Sequence, residues 1–244
     1  MSRSPLTETP DEARRPAGSA PSDASDPSDA GMLTVAQVDA EIARQVARIA
    51  DSGQLVHAGW PFERLLEAAE RLRPGLVEAA VGLPQPDRER VPFVLVLPPG
   101  EVPPSIAATT LRLGHRTGFV SADTSDIDAF RPVDGVTVPE GLYAIVDVRR
   151  GSDHRGRTPE SALDHIGAEG RSPLTISEGL ALLTAHPDCL EKNHCFQTPG
   201  SRAGDRRVPG LWISGGAPKL GFCWAGNHHS WLGVASCGSR LPAA

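Results

Sequence analysis

The chain of 244 residues is long enough for a full hydrophobic core, and its 39% hydrophobic and 22% charged residues are typical of a globular protein. Its net charge of −6 argues against general nucleic-acid binding, which needs a basic surface. Met1–Pro10 lacks the apolar stretch of a secretion signal, and the apolar runs Phe93–Leu97 and Leu180–Leu183 are too short to cross a bilayer. We therefore expect a cytoplasmic protein that binds neither nucleic acid nor membrane and keeps its four cysteines as thiols.

Residues 1–32 are dominated by small and polar side chains. They include five Pro and six Ser, with almost no large apolar side chain after Leu6. Such a segment cannot bury enough apolar surface to offset the entropy lost on ordering it. We therefore predict a disordered tail, either passive or used to bind a partner.

Residues 33–84 are predicted to form a helical segment. Thr34 and Gln37 have the spacing of a capping box that opens a helix. The apolar residues of this helix recur with helical periodicity up to a stop at residues 51–53: Val35, Val38, Ile42, Val46 and Ile49. A second helix is predicted from about Phe62 to Leu72 and ends at Pro74-Gly75. Its apolar residues are expected to face inward: Phe62, Leu65, Leu66, Ala69 and Leu72.

Residues 85–240 are predicted to form an α+β core, so the fold class is α+β, with a helical pair followed by a mixed β-sheet and short helices. Apolar runs at Phe93–Leu97 and Leu142–Val148 predict buried strands, and Pro103–Phe119 favours a helix that leads into a strand. Two further helices are predicted, one from Thr158 to about Ile166 and one from Thr175 to about Ala185.

The end of this core is rich in Gly and Trp. Three short strands separated by Gly-rich turns are predicted to form an antiparallel sheet: Val208–Ser214, Leu220–Trp224 and Trp231–Ser236. In the middle strand the alternation of side chains places Leu220, Phe222 and Trp224 on one face and Gly221 and Cys223 on the other.

Residues 185–240 concentrate the side chains that carry chemistry. They hold all four Cys, four of the eight His and three of the four Trp. Six Lys or Arg against three acids give this segment a charge of +3, so the rest of the chain sums to −9. A basic patch on an acidic protein indicates a local anion site, and salt bridges to acids elsewhere in the chain are the competing interpretation.

Zinc is the first hypothesis for this segment. Four side chains of the types that zinc prefers lie within ten residues: His186, Cys189, His194 and Cys195. Their spacing matches no established zinc motif, and buried cysteines are common packing residues. Zinc is therefore a candidate cofactor without an assigned metal site.

A thiol nucleophile is the second hypothesis, because a base-activated thiol needs a neighbouring histidine. The candidate catalytic residues are Cys195, Cys223, Cys237 and His228. The stretch from His194 to Arg202 resembles a cysteine phosphatase loop, but it is one residue too long and Pro199 removes an N–H donor, so that match is rejected.

A binding pocket is the third hypothesis. Trp212, Trp224 and Trp231 lie on or beside neighbouring predicted strands, and flat aromatic walls with a few polar groups are typical of a small-ligand pocket. Arginines near these strands are suited to phosphate or carboxylate. The predicted ligand-binding residues are Arg202, Arg206, Trp224, Asn227, His228 and His229.

Long motifs in the second half of the chain point to a family. They are Arg171–Gly179, Gly200–Arg202, Asp205–Pro209, Leu211–Ser214, Pro218–Asn227 and Trp231–Ser236. Together they resemble an actinobacterial family of unknown function over about residues 33–240. The resemblance implies no activity and no catalytic residues. An actinobacterial origin agrees with the basic residues, which are 22 Arg and only two Lys (Lys192 and Lys219), as expected of a GC-rich genome.

The leading prediction is a protein that binds a small molecule or anion in a pocket of the C-terminal sheet. The first alternative is an enzyme with a thiol or zinc centre drawn from the Cys and His of residues 186–237. The second alternative is a structural or partner-binding protein, in which the tryptophans belong to the core.

Overall fold

The computed structural model describes residues 31–243. Residues 1–30 of the predicted disordered tail lie outside this range, while Met32 is exposed and forms a β-bridge with Pro84. The helices are α1 (Val35–Ser52), α2 (Gln54–Ala58), α3 (Phe62–Ala80), α4 (Pro104–Thr110), α5 (Pro159–Ala168) and α6 (Ile176–Ala185). Together with the strands below they give the predicted α+β fold. Within residues 31–243 no helix combines the length and apolar character needed to cross a membrane.

The strands in chain order are β1 (Arg90–Val96), β2 (Arg112–Leu113), β3 (Arg116–Thr117), β4 (Phe119–Val120), β5 (Arg131–Pro132), β6 (Tyr143–Arg149), β7 (Ser172–Pro173), β8 (Cys195–Gln197), β9 (Ser201–Arg202), β10 (Arg207–Ser214), β11 (Ala217–Trp224), β12 (Leu232–Val234), β13 (Ser236–Cys237) and β14 (Ser239–Pro242). Strands β2 and β3 form a small hairpin, and β5 pairs with β9.

Helix α1 has the predicted capping box and the predicted stop. The Thr34 hydroxyl accepts the Gln37 backbone N–H at 3.4 Å, and the Gln37 carboxamide oxygen accepts the Thr34 N–H at 2.8 Å. Gly53 ends the helix in the left-handed conformation, with φ of 82°. The apolar residues of α1 face the core as predicted, except for Val35, which is exposed.

Helix α3 differs from the prediction in two ways. It does not end at Pro74-Gly75 but continues to Ala80 with Pro74 in its interior. Proline costs the helix one backbone hydrogen bond, and the burial of Leu76 and Ala80 beyond it offsets that loss. The second difference is that Phe62 and Leu66, expected to face inward, are 43% and 41% exposed.

The first sheet is antiparallel and has the strand order β1-β6-β13-β7, with β14 also paired to β6. The predicted strands Phe93–Leu97 and Leu142–Val148 correspond to β1 and β6. Helices α1, α3 and α6 pack on this sheet, so the N-terminal helices share one hydrophobic core with the strands.

The second sheet has the order β12-β8-β10-β11-β4 and is mixed. Its centre is antiparallel, while β12 pairs with β8 and β4 pairs with β11 in parallel. The predicted three-stranded antiparallel sheet is therefore wrong for Trp231–Ser236. Because β4 occupies the free edge of β11, that segment crosses to β8 as β12 and then enters the first sheet as β13.

Helix α6 lies between the two sheets and begins with the predicted capping box of Thr175 and Glu178. Gly179 allows it to approach the second sheet, because a Cβ there would lie 2.5 Å from the Thr198 methyl and 3.1 Å from Leu211. We call the face of the second sheet that is turned away from α6 the outer face. Helix α5 covers one end of the outer face, where Ala162 and Ile166 pack on Val234.

Candidate functional site

The hairpin of β10 and β11 fixes which side chains reach the outer face. Its turn, Gly215-Gly216, has φ of 58° and 78°, a conformation that glycine adopts without strain. This two-residue turn places Trp212 opposite Lys219. Leu211 and Leu220, one position away, point towards α6 and are buried, so Trp212 and Lys219 lie on the outer face.

The Trp212 indole lies on bare backbone. Gly210 and Gly221 are directly paired across β10 and β11. A Cβ on Gly221 would lie 2.5 Å from Trp212 Cη2, and one on Gly210 would lie 3.4 Å from Trp212 Cζ3. The two glycines therefore form a floor under the indole, and at Gly221 only a residue without a side chain leaves room for the ring.

A second indole stands beside the first at nearly a right angle. The ring centroids of Trp212 and Trp231 are 6.2 Å apart with an interplanar angle of 77°. The His229 ring is 5.5 Å from the Trp231 ring, and Lys219 Nζ is 5.4 Å from the centroid of Trp212. Both indoles are only partly buried, so each presents surface to solvent.

The two indoles border an open hollow of about 630 Å³, which we call the tryptophan hollow. Its lining consists of two aromatic walls, the thiol of a buried cysteine and two tight turns: Trp212, Trp231, Cys195, Ile213, Lys192-Asn193 and Gly215-Gly216. The Lys192-Asn193 turn is closed by mutual backbone bonds between Glu191 and His194, and Asn193 has φ of 66°. Each of these two turns therefore forms one lip of the hollow.

The electrostatics of the tryptophan hollow are basic. Lys192 on its rim and Lys219 beside Trp212 are the two lysines of the chain. Within the described part of the chain, neither amine lies within 4.0 Å of a carboxylate oxygen. The pKa of Asp123 is lowered mainly by a hydrogen bond from the Ser121 hydroxyl, and the charge of Lys219 is the smallest of the causes.

His229 contributes a polar atom without a partner. Its Nε2 is buried and makes no hydrogen bond to any residue between 31 and 243. Burial, and then the neighbouring His228, lower the pKa of His229 below its ordinary value of 6.5, so the ring is neutral at pH 7. A neutral imidazole with a free nitrogen can either donate or accept one hydrogen bond.

Among the predicted ligand-binding residues, His229 alone packs against a wall of the tryptophan hollow. Asn227 and His228 are exposed in the turn after β11. Trp224 is 51% exposed and lies on the opposite face from Trp212, where its ring meets Phe222 at 5.7 Å.

The predicted arginines are engaged elsewhere. Arg202 donates to the backbone oxygens of Pro199 and Ser201 at 2.6 and 2.9 Å, and burial lowers its pKa. Arg206 is exposed and pairs with Glu160 at 2.9 Å.

Arg207, in the same charged loop, has a structural role. It forms two hydrogen bonds to Asp126, at 2.8 and 2.6 Å, and one to Asp205 at 2.7 Å. Its guanidinium lies 5.4 Å from the Phe130 ring and 5.2 Å from the Phe222 ring. These contacts fasten the segment before β5 to the second sheet.

The four thiols are spread over the molecule. Cys195 lines the tryptophan hollow and Cys223 lies on the outer face, whereas Cys237 is in the first sheet and Cys189 follows α6. Burial raises the pKa of all four thiols, to about 12 for Cys189 and Cys237. A raised pKa suppresses the thiolate that a nucleophile or a zinc ligand requires.

The four zinc candidates do not converge. His186 contacts Glu41 at 3.1 Å, His194 contacts Arg155 at 3.2 Å, and the Cys195 thiol donates to the Glu191 carbonyl at 3.3 Å. Within residues 31–243 no group of three or more His, Cys, Asp or Glu side chains has a geometry that could hold a metal ion.

The walls of the tryptophan hollow were part of the predicted tryptophan cluster, but Lys192, Asn193 and Lys219 were not predicted as site residues. The Gly215-Gly216 turn was a usable signal for one of them. A two-residue hairpin turn sets the register, and that register places Lys219 opposite Trp212.

A family model described as a family of unknown function (DUF5701) matches residues 48–243. This range begins near the end of α1 and includes every residue of the tryptophan hollow. No curated protein and no solved structure matches the chain.

Proposed function

The chain belongs to the DUF5701 family of unknown function, and we propose that it binds a small, flat, anionic molecule in the tryptophan hollow. One observation carries the proposal. Two partly exposed indoles stand at 77° to each other, and the two lysines of the chain, neither paired with an acid, lie beside them.

The aromatic walls support a flat ring as the bound group. A ring that stacks on one indole meets the edge of the other, and both contacts are favourable between aromatic systems. The volume of about 630 Å³ is within the range of small-molecule sites. The glycine floor holds Trp212 in place, so this wall is already formed before a ligand arrives.

The lysines support an anionic substituent on that ring. Most arginines near the second sheet are satisfied by acids or backbone oxygens, which leaves Lys192 and Lys219 available for a ligand. An ammonium group at the rim and another beside Trp212 favour a carboxylate or a phosphate.

The two alternatives have less support. The raised thiol pKa values and the separated histidines do not favour a thiol or zinc enzyme. A purely structural role for the tryptophans would bury them, as it does Trp60, whereas Trp212 and Trp231 keep exposed surface.

The location and source of the protein belong to the same proposal. The four free cysteines support a cytoplasmic location, where thiols stay reduced. The ratio of 22 Arg to two Lys supports an actinobacterial source.

The test uses three probes with the same ring and different charge: indole-3-acetate, indole and tryptamine. Isothermal titration calorimetry of the full chain is expected to show indole-3-acetate binding about tenfold more tightly than tryptamine, a ratio that corresponds to about 1.4 kcal/mol. Lys192→Gln and Lys219→Gln are expected to reduce this preference, because each removes a cation near the anionic group.

Trp212→Ala is expected to abolish binding, and Trp224→Ala is its matched control. Trp224 is also a partly exposed indole on the same hairpin, but on the opposite face. Circular dichroism would establish that both variants are folded. The proposal is wrong if none of the three probes binds, or if the two tryptophan variants lose binding equally.

A further inference from the structure

We propose that two copies of this chain pair through the outer surface of α1 and α3. A groove of about 450 Å³ runs between these helices on the side that faces away from the first sheet. Its floor and sides are mostly apolar: Ile42, Ala43, Val46 and Ala47 from α1, with Phe62 and Leu66 from α3.

The sequence pattern of α3 and its exposure disagree in this groove. Phe62 and Leu66 have the helical spacing of core residues, alongside Leu65 and Leu72, which are buried. They are nevertheless 43% and 41% exposed. Two large apolar side chains one helical turn apart are therefore exposed on the rim of a groove that is itself mostly apolar. This arrangement indicates a face that is covered in the working protein.

The face is complementary to itself. Four exposed alanines at intervals of three or four residues form a flat wall along α1: Ala36, Ala40, Ala43 and Ala47. Phe62 and Leu66 project from α3 beside this wall. A two-fold axis across the groove places the bulky pair of each copy on the alanines of the other, which is the requirement for an isologous contact.

The charges of the groove permit such a contact. Arg73 and Asp39 form two hydrogen bonds within one copy, at 2.7 and 2.8 Å, so this end of the groove is neutral. Glu70 is exposed at its edge, where it can remain in water when the apolar centre is covered.

The area of this face is at the lower limit for a specific pair. Helices α1 and α3 have 18 and 19 residues and are therefore each about 27 Å long. Side by side they present a face about 20 Å wide, which gives about 540 Å² per copy and about 1,080 Å² in total. This just exceeds the about 1,000 Å² that a specific interface needs.

The N-terminal segment of the same chain is a poor occupant for the groove. Residues 1–30 contain only two large apolar side chains, Met1 and Leu6. They cannot replace the apolar contacts that Phe62 and Leu66 require, whereas a second copy supplies the same residues in return.

Sedimentation velocity of the full chain tests the pairing. A monomer has a mass of 25.7 kDa, and we expect the dimer of twice that mass to predominate above about 10 µM, as for a specific interface of small area. Leu66→Glu and Ala43→Arg are each expected to weaken association at least about tenfold, since each places a charge in the apolar centre.

Val56→Glu is the matched control, because Val56 is 82% exposed but does not line the groove. This variant is expected to remain dimeric. Circular dichroism and the binding of indole-3-acetate by the Leu66→Glu variant would show that it is folded. A wild-type chain that stays monomeric at about 200 µM, or a Leu66→Glu variant that stays dimeric, would overturn the proposal.

Discussion

Two polar side chains, one beside each sheet, differ in how far the fold satisfies them. Beside the first sheet, Glu178 is fully buried, and its carboxylate accepts hydrogen bonds from the Tyr143 hydroxyl at 3.1 Å, the Thr175 N–H at 2.7 Å and Arg240 at 2.6 and 2.8 Å. On the outer face of the second sheet, the partly exposed Lys219 amine has no carboxylate partner within residues 31–243.

This difference separates polar groups that hold the fold from polar groups that are available to a ligand. Glu178 completes the capping box of α6 and also anchors Arg240 of β14, so one carboxylate joins the helix to the C-terminal strand. A buried carboxylate with every bond made is part of the fold, whereas a partly exposed cation without an acidic partner can meet the charge of another molecule.

The largest expected effect belongs to Glu178. Glu178→Ala removes one partner of a buried ion pair and leaves Arg240 uncompensated, which is expected to cost about 3–5 kcal/mol of the free energy of unfolding. Urea denaturation followed by circular dichroism measures this loss. The control is Glu160→Ala, which breaks the exposed pair with Arg206 and is expected to cost less than about 1 kcal/mol. Equal losses in the two variants would contradict the comparison of the two sheets.

The second effect is a pH dependence at Glu41 of α1. Burial opposes its ionisation, but hydrogen bonds from Arg44, His186 and Gln45 prevail and lower the pKa of Glu41 to about 2. Because the folded value is below the unfolded value of about 4.5, the stabilisation is complete above pH 4.5 and is lost as the pH falls towards 2.

The wild-type chain is therefore expected to lose up to about 3 kcal/mol more than Glu41→Gln between pH 4.5 and 2. Urea titrations across this window measure the difference. Parallel stability curves for the two proteins would show that Glu41 is not responsible.

The third effect concerns the floor of the tryptophan hollow. Gly221→Ala forces Trp212 to move, because the new methyl would lie 2.5 Å from its ring. We expect a loss of about 1–3 kcal/mol in the free energy of unfolding and weaker binding of indole-3-acetate. Gly167→Ala is the control, since Gly167 in α5 has no heavy atom within 4 Å of an added Cβ, and this variant is expected to be as stable as wild type or more so. If Gly221→Ala bound indole-3-acetate as tightly as wild type, the position of Trp212 would not matter for binding, which would contradict its role as a wall of the site.

Local patterns predicted the fold where local interactions decide it. The capping boxes at Thr34 and Thr175 depend on residues three positions apart, and both are formed as expected. The extension of α3 beyond Pro74 depends on the packing of this helix against distant strands, which the local pattern does not contain. The pairing of β12 with β8 likewise depends on β4 having taken the other edge, more than 100 residues earlier in the chain.

The candidate site shows the same division. The concentration of Trp, Cys and His after residue 185 indicated the region of the tryptophan hollow, and Trp212 and Trp231 do meet there. Composition did not reveal that Trp224 lies on the other face, because a position in the register rather than a residue type decides the side of a sheet. The thiol hypothesis depends on cysteines that are near histidines in the sequence, and the sequence does not contain the burial that raises the pKa of all four thiols.

The two lips of the tryptophan hollow determine how a bound molecule would enter and leave. Both are two-residue turns at the ends of paired backbone, and the one lining residue that lies outside these turns and the strands, Trp231, directly precedes β12. Little chain therefore has to be ordered when the hollow fills, so entry is expected to be fast and governed by diffusion. Because the rim stays open, a molecule much longer than the hollow can be gripped by one end while the remainder extends into water.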